Sequence, residues 1–414
     1  MIKRFYAENF SSIKDRIDVS FEATKLDDDT PYHNVFDYRD MQILKVSAFY
    51  GMNASGKSTI IRALAAVREL IVPVQPNLPL LYRPFEFSKK NKMSPIKLGI
   101  DFSTKNDGPL YRYSVSYDAA SILEEKLEKL MTQKPTLLYE RRTIHGLTNI
   151  TLGQTINNNV LLQEIAKTVV VNKTFLSAVA QFNVEDFRVI YNFFLGSFIN
   201  ISPEVTRFDD ILPTSIKTNN DLKDFTIKLL KAADFNISDL HIEKKNIKNQ
   251  IIGVPFAVEA EREALFFEHV GKDNCGSIEF VDESVGTKKI VVLALHLFEA
   301  LSRPSVLIVD ELESSLHPEL TKLIIKCFLD ETINPHNSQL VFTSHQTTLL
   351  NLNLLRRDQI NFVYKDEKTC GTYIRSLKEF HVRKTDSVEK SYLAGRYMTS
   401  PEVKEQLLEG AVTK

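Results

Sequence analysis

The most restrictive feature of the sequence is the run Gly51-Met52-Asn53-Ala54-Ser55-Gly56-Lys57-Ser58-Thr59, set between two stretches of opposite character. Residues 43–50, just before it, are apolar almost without alternation, the pattern of a strand buried on both faces in a helix-covered sheet. Residues 57–71, just after it, carry Ile60, Ile61, Leu64, Val67 and Leu70 at three- and four-residue spacings and stop before Pro73, which predicts a helix. The loop itself has the spacing G-x-x-x-x-G-K-[ST]. Glycines let the backbone curl so that successive N–H groups face an anion, and the helix adds the positive end of its dipole. Lys57 would neutralise terminal phosphates and the Ser58 hydroxyl would ligate a divalent cation.

Three further segments belong with this loop. In Val306-Leu307-Ile308-Val309-Asp310-Glu311 an apolar strand ends in two acids, which places both carboxylates at the carboxyl edge of a sheet, where ligands of α/β folds gather. Asp310 would hold Mg²⁺, and Glu311 would orient or deprotonate an attacking water. In Gln339-Leu340-Val341-Phe342-Thr343-Ser344-His345 a second apolar strand ends in a histidine able to reach a terminal phosphate. Ser284, ahead of the apolar helix predicted over 286–301, can cap that helix, and the Ser284 and Gly286 amides are available to an anion. The expected cofactors are ATP and Mg²⁺. The nucleotide ligands expected in the loop are Gly51, Asn53, Ser55, Gly56, Lys57, Ser58 and Thr59. Ser58 and Asp310 are the metal ligands, and Lys57, Glu311 and His345 the catalytic groups.

Elsewhere the pattern predicts short strands over 2–10 and 16–21 around a turn at Ser11-Ser12, a proline-rich loop over 73–95, and a hairpin of 95–103 with 110–117. Residues 118–261 change character, with helical runs near 157–170, 184–198 and 221–233 and no phosphate motif. They read as an inserted, mostly helical lobe, without the sustained heptads of a coiled-coil arm. Strand and helix then alternate through 286–301, 305–309, 318–330 and 339–343, which implies a mainly parallel sheet. The expected organisation is 1–117 and 262–380 as the two parts of one nucleotide-binding head, 118–261 as the insertion, and 381–414 as a C-terminal segment.

Composition narrows the rest. The formal net charge of -1 gives no global field toward nucleic acid or an acidic membrane. The cysteines, Cys275, Cys327 and Cys370, are far apart with no C-x-x-C pair, which argues against a disulfide framework or a zinc site and fits a reducing cytoplasm. No stretch approaches the ~20 apolar residues a membrane span needs. Local basic clusters at Lys89-Lys90-Lys92, Arg141-Arg142, Lys244-Lys245-Lys248 and Arg356-Arg357 leave nucleic acid open as a partner.

Taken together these motifs resemble the ABC-type ATPases, and more narrowly the AAA-15/AAA-21 group related to the ATPase halves of OLD-family proteins. The resemblance covers 1–117 and 262–380. It equates Gly51–Thr59 with the Walker A loop, 306–311 with Walker B, 314–318 with the D-loop, and His345 with the switch histidine. Ser284-Val285-Gly286-Thr287 resembles the degenerate signature motif, which implies that Ser284 and Gly286 bind ATP held by a second subunit. The family's Q-loop glutamine has no assigned position; Gln75 lies in the region, among prolines. What the resemblance implies is an α/β, ABC-ATPase-like P-loop NTPase head with a mixed, mainly parallel sheet. It would close on ATP as a homodimer or higher oligomer. The segments 354–360 and 392–397 resemble ATPases encoded beside a separate effector, such as an RloB-type or TOPRIM-like nuclease, in phage defence. A RecF- or Rad50-like head acting on DNA is the alternative.

Overall fold

The computed structural model describes residues 1–25, 30–73, 78–130, 134–182, 184–201, 211–233, 235–249, 258–271 and 274–397. Gln75 and the last part of the C-terminal segment, 398–414, lie outside the described residues. The chain opens with β1 (Ile2–Glu8) and β2 (Ile17–Ser20), then β3 (Val35–Tyr38), β4 (Met41–Leu44) and β5 (Val46–Tyr50). The apolar run 43–50 is thus divided at Lys45: β4 pairs with β3, whereas β5 enters a different sheet. Helix α1 (Lys57–Ile71) follows the glycine loop, and two short helices, α2 (Leu78–Leu81) and α3 (Lys89–Lys92), lie in the proline-rich stretch. Next come β6 (Ile96–Ser103), β7 (Leu110–Tyr117), β8 (Ile122–Leu130), β9 (Thr136–Ile144) and β10 (Leu147–Leu152). Helices α4 (Val160–Thr168), α5 (Phe175–Val179) and α6 (Glu185–Asn192) lead to β11 (Phe198–Ile201); α7 (Ile211–Thr218) and α8 (Asn220–Ala232) precede β12 (Ile237–Asn249), β13 (Val258–Val270) and β14 (Cys275–Glu279). The chain then runs through α9 (Val285–Leu301), β15 (Val306–Val309), α10 (Pro318–Leu329), β16 (Gln339–Ser344), β17 (Ile360–Lys365), β18 (Thr372–Ser376) and α11 (Val388–Leu393).

Two sheets carry the architecture. One is antiparallel in the order β10-β9-β8-β7-β6-β1-β2; the other runs β11-β15-β16-β5-β17-β18, parallel except for β18. Helix α1 lies between them and buries Ile60, Ile61, Leu64, Val67 and Leu70 against both. Val306, Ile308 and Val341 face this first core; Leu307, Val309, Leu340 and Phe342 face a second core with α9 and α10. Strand β15 is therefore covered on both sides, as its unbroken apolar sequence requires. Buried Gln339 ties the sheets together: its Oε1 accepts the Ile2 N–H (2.6 Å), and its Nε2 donates to the Ile2 and Leu44 carbonyls (both 3.0 Å).

Residues 118–261 contribute helices in the three expected runs, α4, α6 and α8, and also α5, α7 and strands that the sequence pattern hides. Strands β8, β9 and β10 extend the antiparallel sheet, and β11 pairs parallel with β15, so this segment is woven into the head. Inward positions in β8 and β9 are charged, which removes the apolar alternation of a half-buried strand. Glu125 and Arg141 are 1% and 0% exposed, with nitrogen and oxygen 3.9 Å apart. Glu125 accepts from Tyr139 Oη (2.6 Å), Tyr113 Oη (3.2 Å) and the Phe175 and Leu176 amides (2.7 and 3.2 Å). Arg141 donates to the carbonyls of Val170, Val171 and Lys173. Arg141, read from sequence as part of a basic surface cluster, is instead this core's counter-charge.

The Glu125 site makes a stability prediction. Glu125→Ala leaves a buried guanidinium without its counter-charge and two phenols and two amides without their acceptor, and should lower the stability of the folded chain by about 3–5 kcal/mol in denaturant titrations. Glu125→Leu combined with Arg141→Met should recover most of that loss. Equal losses in the single and double variants would show that the ion pair is not what holds the strands to α5.

Candidate functional site

Strand β5 ends at fully buried Tyr50, and the chain turns at once through Gly51. A Cβ on Gly51 would lie 2.2 Å from the Val363 carbonyl oxygen and 2.7 Å from Ser55 Oγ, so no side chain fits there. Ala54 (φ 61) and Gly56 (φ 108) take left-handed conformations, and a Cβ on Gly56 would meet Thr372 Oγ1 at 2.1 Å. Gly56 is the N-cap of α1; the Thr59 N–H already donates to the Gly56 carbonyl (3.0 Å), so the Lys57 and Ser58 amides, without an intrahelical partner, form the donor set for an anion. Lys57 is 5% exposed and folds back so that Nζ donates to the carbonyls of Gly51 (2.9 Å) and Met52 (3.0 Å). Burial holds its pKa below the ordinary lysine value, against the pull of Asp310, Glu311 and Glu313.

A support layer beneath the loop was not visible in the sequence. Thr372 Oγ1, at the start of β18, donates to the Ser55 carbonyl (2.9 Å) and lies 2.8 Å from Ser12 Oγ, while Ser12 Oγ donates to Thr59 Oγ1 (3.1 Å). The Thr59 hydroxyl also accepts from Arg62 (3.3 Å) and so belongs to this support. Ser58 is half-buried, and its hydroxyl makes no hydrogen bond to a described residue; Asn53 is exposed. Ser55 Oγ is buried and has no hydrogen-bond partner among the described residues.

The acid pair and the histidine reach this loop through strand order. Strand β16 lies parallel between β15 and β5, with Val309 opposite Phe342 and Ser344 opposite Tyr50. The chain leaving β16 therefore emerges between the acids and the phosphate loop. Thr343, a polar interruption at the end of an apolar strand, joins the two: its Oγ1 donates to Asp310 Oδ1 (2.6 Å) and accepts from the Glu311 N–H (2.7 Å). Glu311 has φ 52, a strained conformation for a non-glycine residue of the kind that clusters at functional sites. His345 is solvent-exposed on one side, and its pKa is held below the ordinary imidazole value by partial burial and then by the Lys57 charge, with Glu313, Glu311 and Asp310 opposing. Loop, acids and histidine, remote in sequence, thus share one electrostatic neighbourhood.

The signature segment is placed differently. Ser284 Oγ caps α9 by accepting the Thr287 N–H (3.1 Å), and Gly286 packs beside the Ser315 carbonyl. Lys289 Nζ, one turn on, donates to the Ser314 carbonyl. Among the described residues no hydrogen bond joins Ser284 or Gly286 to the phosphate loop of the same chain. The remaining basic clusters are mostly neutralised: Lys244 pairs with Glu261, Lys245 with Glu279, and Arg356 with buried Asp358, whereas Lys89 and Lys90 on α3 are exposed.

A strand–glycine-loop–helix unit, an acid-ended neighbour strand and a histidine-ended strand between them give this chain a P-loop NTPase fold. A family described as "AAA domain, putative AbiEii toxin, Type IV TA system" matches residues 173–351, which include Asp310, Glu311 and His345 and lie beyond the glycine loop. No curated protein matches. Among solved structures, the SMC head domain from Thermotoga maritima is 14% identical (TM-score 0.41; 91% of this chain, 98% of that chain). The Smc head domain from Pyrococcus furiosus, solved with an extended coiled coil and bound to the C-terminal domain of ScpA, is 11% identical (0.42; 96% and 99%). The cbiO1 protein from Clostridium perfringens, part of the ABC transporter complex cbiONQ, is 12% identical (0.34; 99% and 100%).

The shared neighbourhood can be read by titration. In an NMR pH titration the His345 imidazole should have its midpoint below that of an unperturbed histidine. Lys57→Ala removes a positive charge that disfavours the imidazolium, so the midpoint should rise. A midpoint that stays put or falls would mean that Lys57 and His345 do not face a common cleft.

Proposed function

We propose that this protein hydrolyses ATP with Mg²⁺ as a nucleotide-driven switch, and that two copies close on the nucleotide. The observation that carries the proposal is the convergence of Lys57, Asp310, Glu311 and His345 at one sheet edge, brought about by β16 lying between β15 and β5. The residues present suit the ligand. Among the described residues, buried Ser55 Oγ lacks a partner, the Ser58 hydroxyl is uncommitted, and Thr343 occupies Oδ1 of Asp310, leaving Oδ2 for a cation. The Gly51–Thr59 amides and Lys57 would hold the phosphates, and Ser58 with Asp310 would hold Mg²⁺, which would supply charge neutralisation. Glu311 would orient the attacking water, and His345 would report whether the terminal phosphate is there. Ser284 and Gly286, which make no hydrogen bond to their own chain's loop among the described residues, would meet the nucleotide of a second copy.

The output path is supported at the C-terminal end of the described chain. Glu389 on α11 accepts from Thr347 Oγ1 (2.7 Å), just past His345. Tyr392 packs edge-on to Tyr50, just before the glycine loop, at 6.3 Å between ring centroids. Helix α11 thus touches both sides of the nucleotide site, and a separate effector acting in cytoplasmic phage defence, such as a nuclease, would be governed through this end. The DNA-directed alternative is favoured by α3, where exposed Lys89 and Lys90 stand beside Phe87 and Met93, 68% and 90% exposed. ATP-dependent duplex binding that weakens steeply with salt would select it.

Two substitutions test the proposal. Lys57→Ala should abolish ATP binding in calorimetry. Glu311→Gln should keep ATP affinity, lower phosphate release by about 10²- to 10⁴-fold, and accumulate a dimer on sizing columns with ATP. A Glu311→Gln protein that releases phosphate at the wild-type rate would remove Glu311 from the chemistry. One that stays monomeric at saturating ATP would remove the closure.

A further inference from the structure

The turn after the acid pair carries a third carboxylate, Glu313, to which the chemistry above gives no task. Its Oε1 accepts the backbone N–H of His345 at 2.5 Å, and its Oε2 is buried without a hydrogen-bond partner among the described residues. That N–H needs an acceptor from outside the sheet. The ladder between β16 and β5 ends at the Ser344–Tyr50 pair, so the next amide of the chain points away from any strand. The turn that presents Glu313 is tightly fixed. Glu311 and Ser315 are left-handed (φ 52 and 61), the Ser314 N–H donates to the Glu311 carbonyl (3.0 Å), and the Leu316 N–H donates to the Glu313 carbonyl (2.8 Å). On its far side the turn receives Lys289 Nζ at the Ser314 carbonyl, from the second turn of α9.

We propose that Glu313 is a positioning residue for His345: its carboxylate fixes the backbone at residue 345, and through the 311–316 turn it links that placement to the start of α9. The proposal rests on the ATPase reading for its kinetic consequence. Lys57 and the loop amides hold phosphate independently of this bond, so loss of the bond should leave nucleotide affinity in place while His345 wanders from its working position. The charge of Glu313 also acts on Lys57, Lys289 and Tyr50, so the variants must separate charge from hydrogen bonding. Glu313→Gln keeps an acceptor oxygen and removes the charge; Glu313→Ala removes both.

The test uses the full chain and two readouts. In steady-state phosphate release, Glu313→Ala should lower kcat about 10- to 100-fold with KM and ATP affinity nearly unchanged, and Glu313→Gln should recover most of kcat. In hydrogen exchange, the peptide holding the His345 amide should exchange faster in Glu313→Ala and at the wild-type rate in Glu313→Gln, with peptides of α1 unchanged as a control for folding. Wild-type exchange at His345 in Glu313→Ala would overturn the proposal, and so would equal kinetic damage in both variants, which would assign the effect to charge. A wild type that binds ATP without releasing phosphate, but shows the expected exchange pattern, would sink the ATPase reading and leave the positioning role standing.

Discussion

Thr343 sits where the site is decided. Its hydroxyl donates to Asp310 and accepts from the Glu311 amide, so the last residues of β16 are bonded to the first residues beyond β15. The other side of β16 pairs with β5, whose end becomes the glycine loop. Parallel pairing makes all three strands finish at the same edge, and the middle strand delivers His345 between the acids and Lys57. A slip of one residue in either pairing would turn alternate side chains to the wrong face and carry the polar ends out of register. The two apolar cores that cover this sheet are what hold that register.

Much of this arrangement could be read from the chain before its structure. The glycine loop, Asp310 and Glu311, and His345 each follow an apolar run, and uninterrupted apolar strands announce a covered parallel sheet. What escaped has physical reasons. Strands β8 and β9 carry Glu125 and Arg141 at inward positions, where a pattern search expects apolar residues, because two opposite charges and a set of hydrogen bonds replace apolar packing there. Strand β11 continues a helical run, and its pairing with β15 is a matter of tertiary context. Ser12 and Thr372 support the loop from distant turns, with no spacing to mark them.

The same geometry explains how a small ligand could be felt across a large chain. The 311–316 turn borders the acids, receives the His345 amide on one side and meets Lys289 of α9 on the other. Behind the loop, Tyr50 meets Tyr392, and Phe362 stacks on Tyr397 with centroids 4.5 Å apart. On the proposed reading, nucleotide-dependent shifts at the sheet edge would have short, packed routes both to the helix that bears Ser284 and Gly286 and to the C-terminal helix. Left-handed residues at Ala54, Glu311 and Ser315 place strain at the turns that would move.

The most direct measurement is an experimental structure of the chain with Mg²⁺ and a non-hydrolysable ATP analogue. The account predicts the terminal phosphate against Lys57, the cation between Ser58 and Asp310, and Glu311 and His345 flanking the same phosphate. An analogue bound with its terminal phosphate away from the carboxyl ends of β15 and β16 would contradict it.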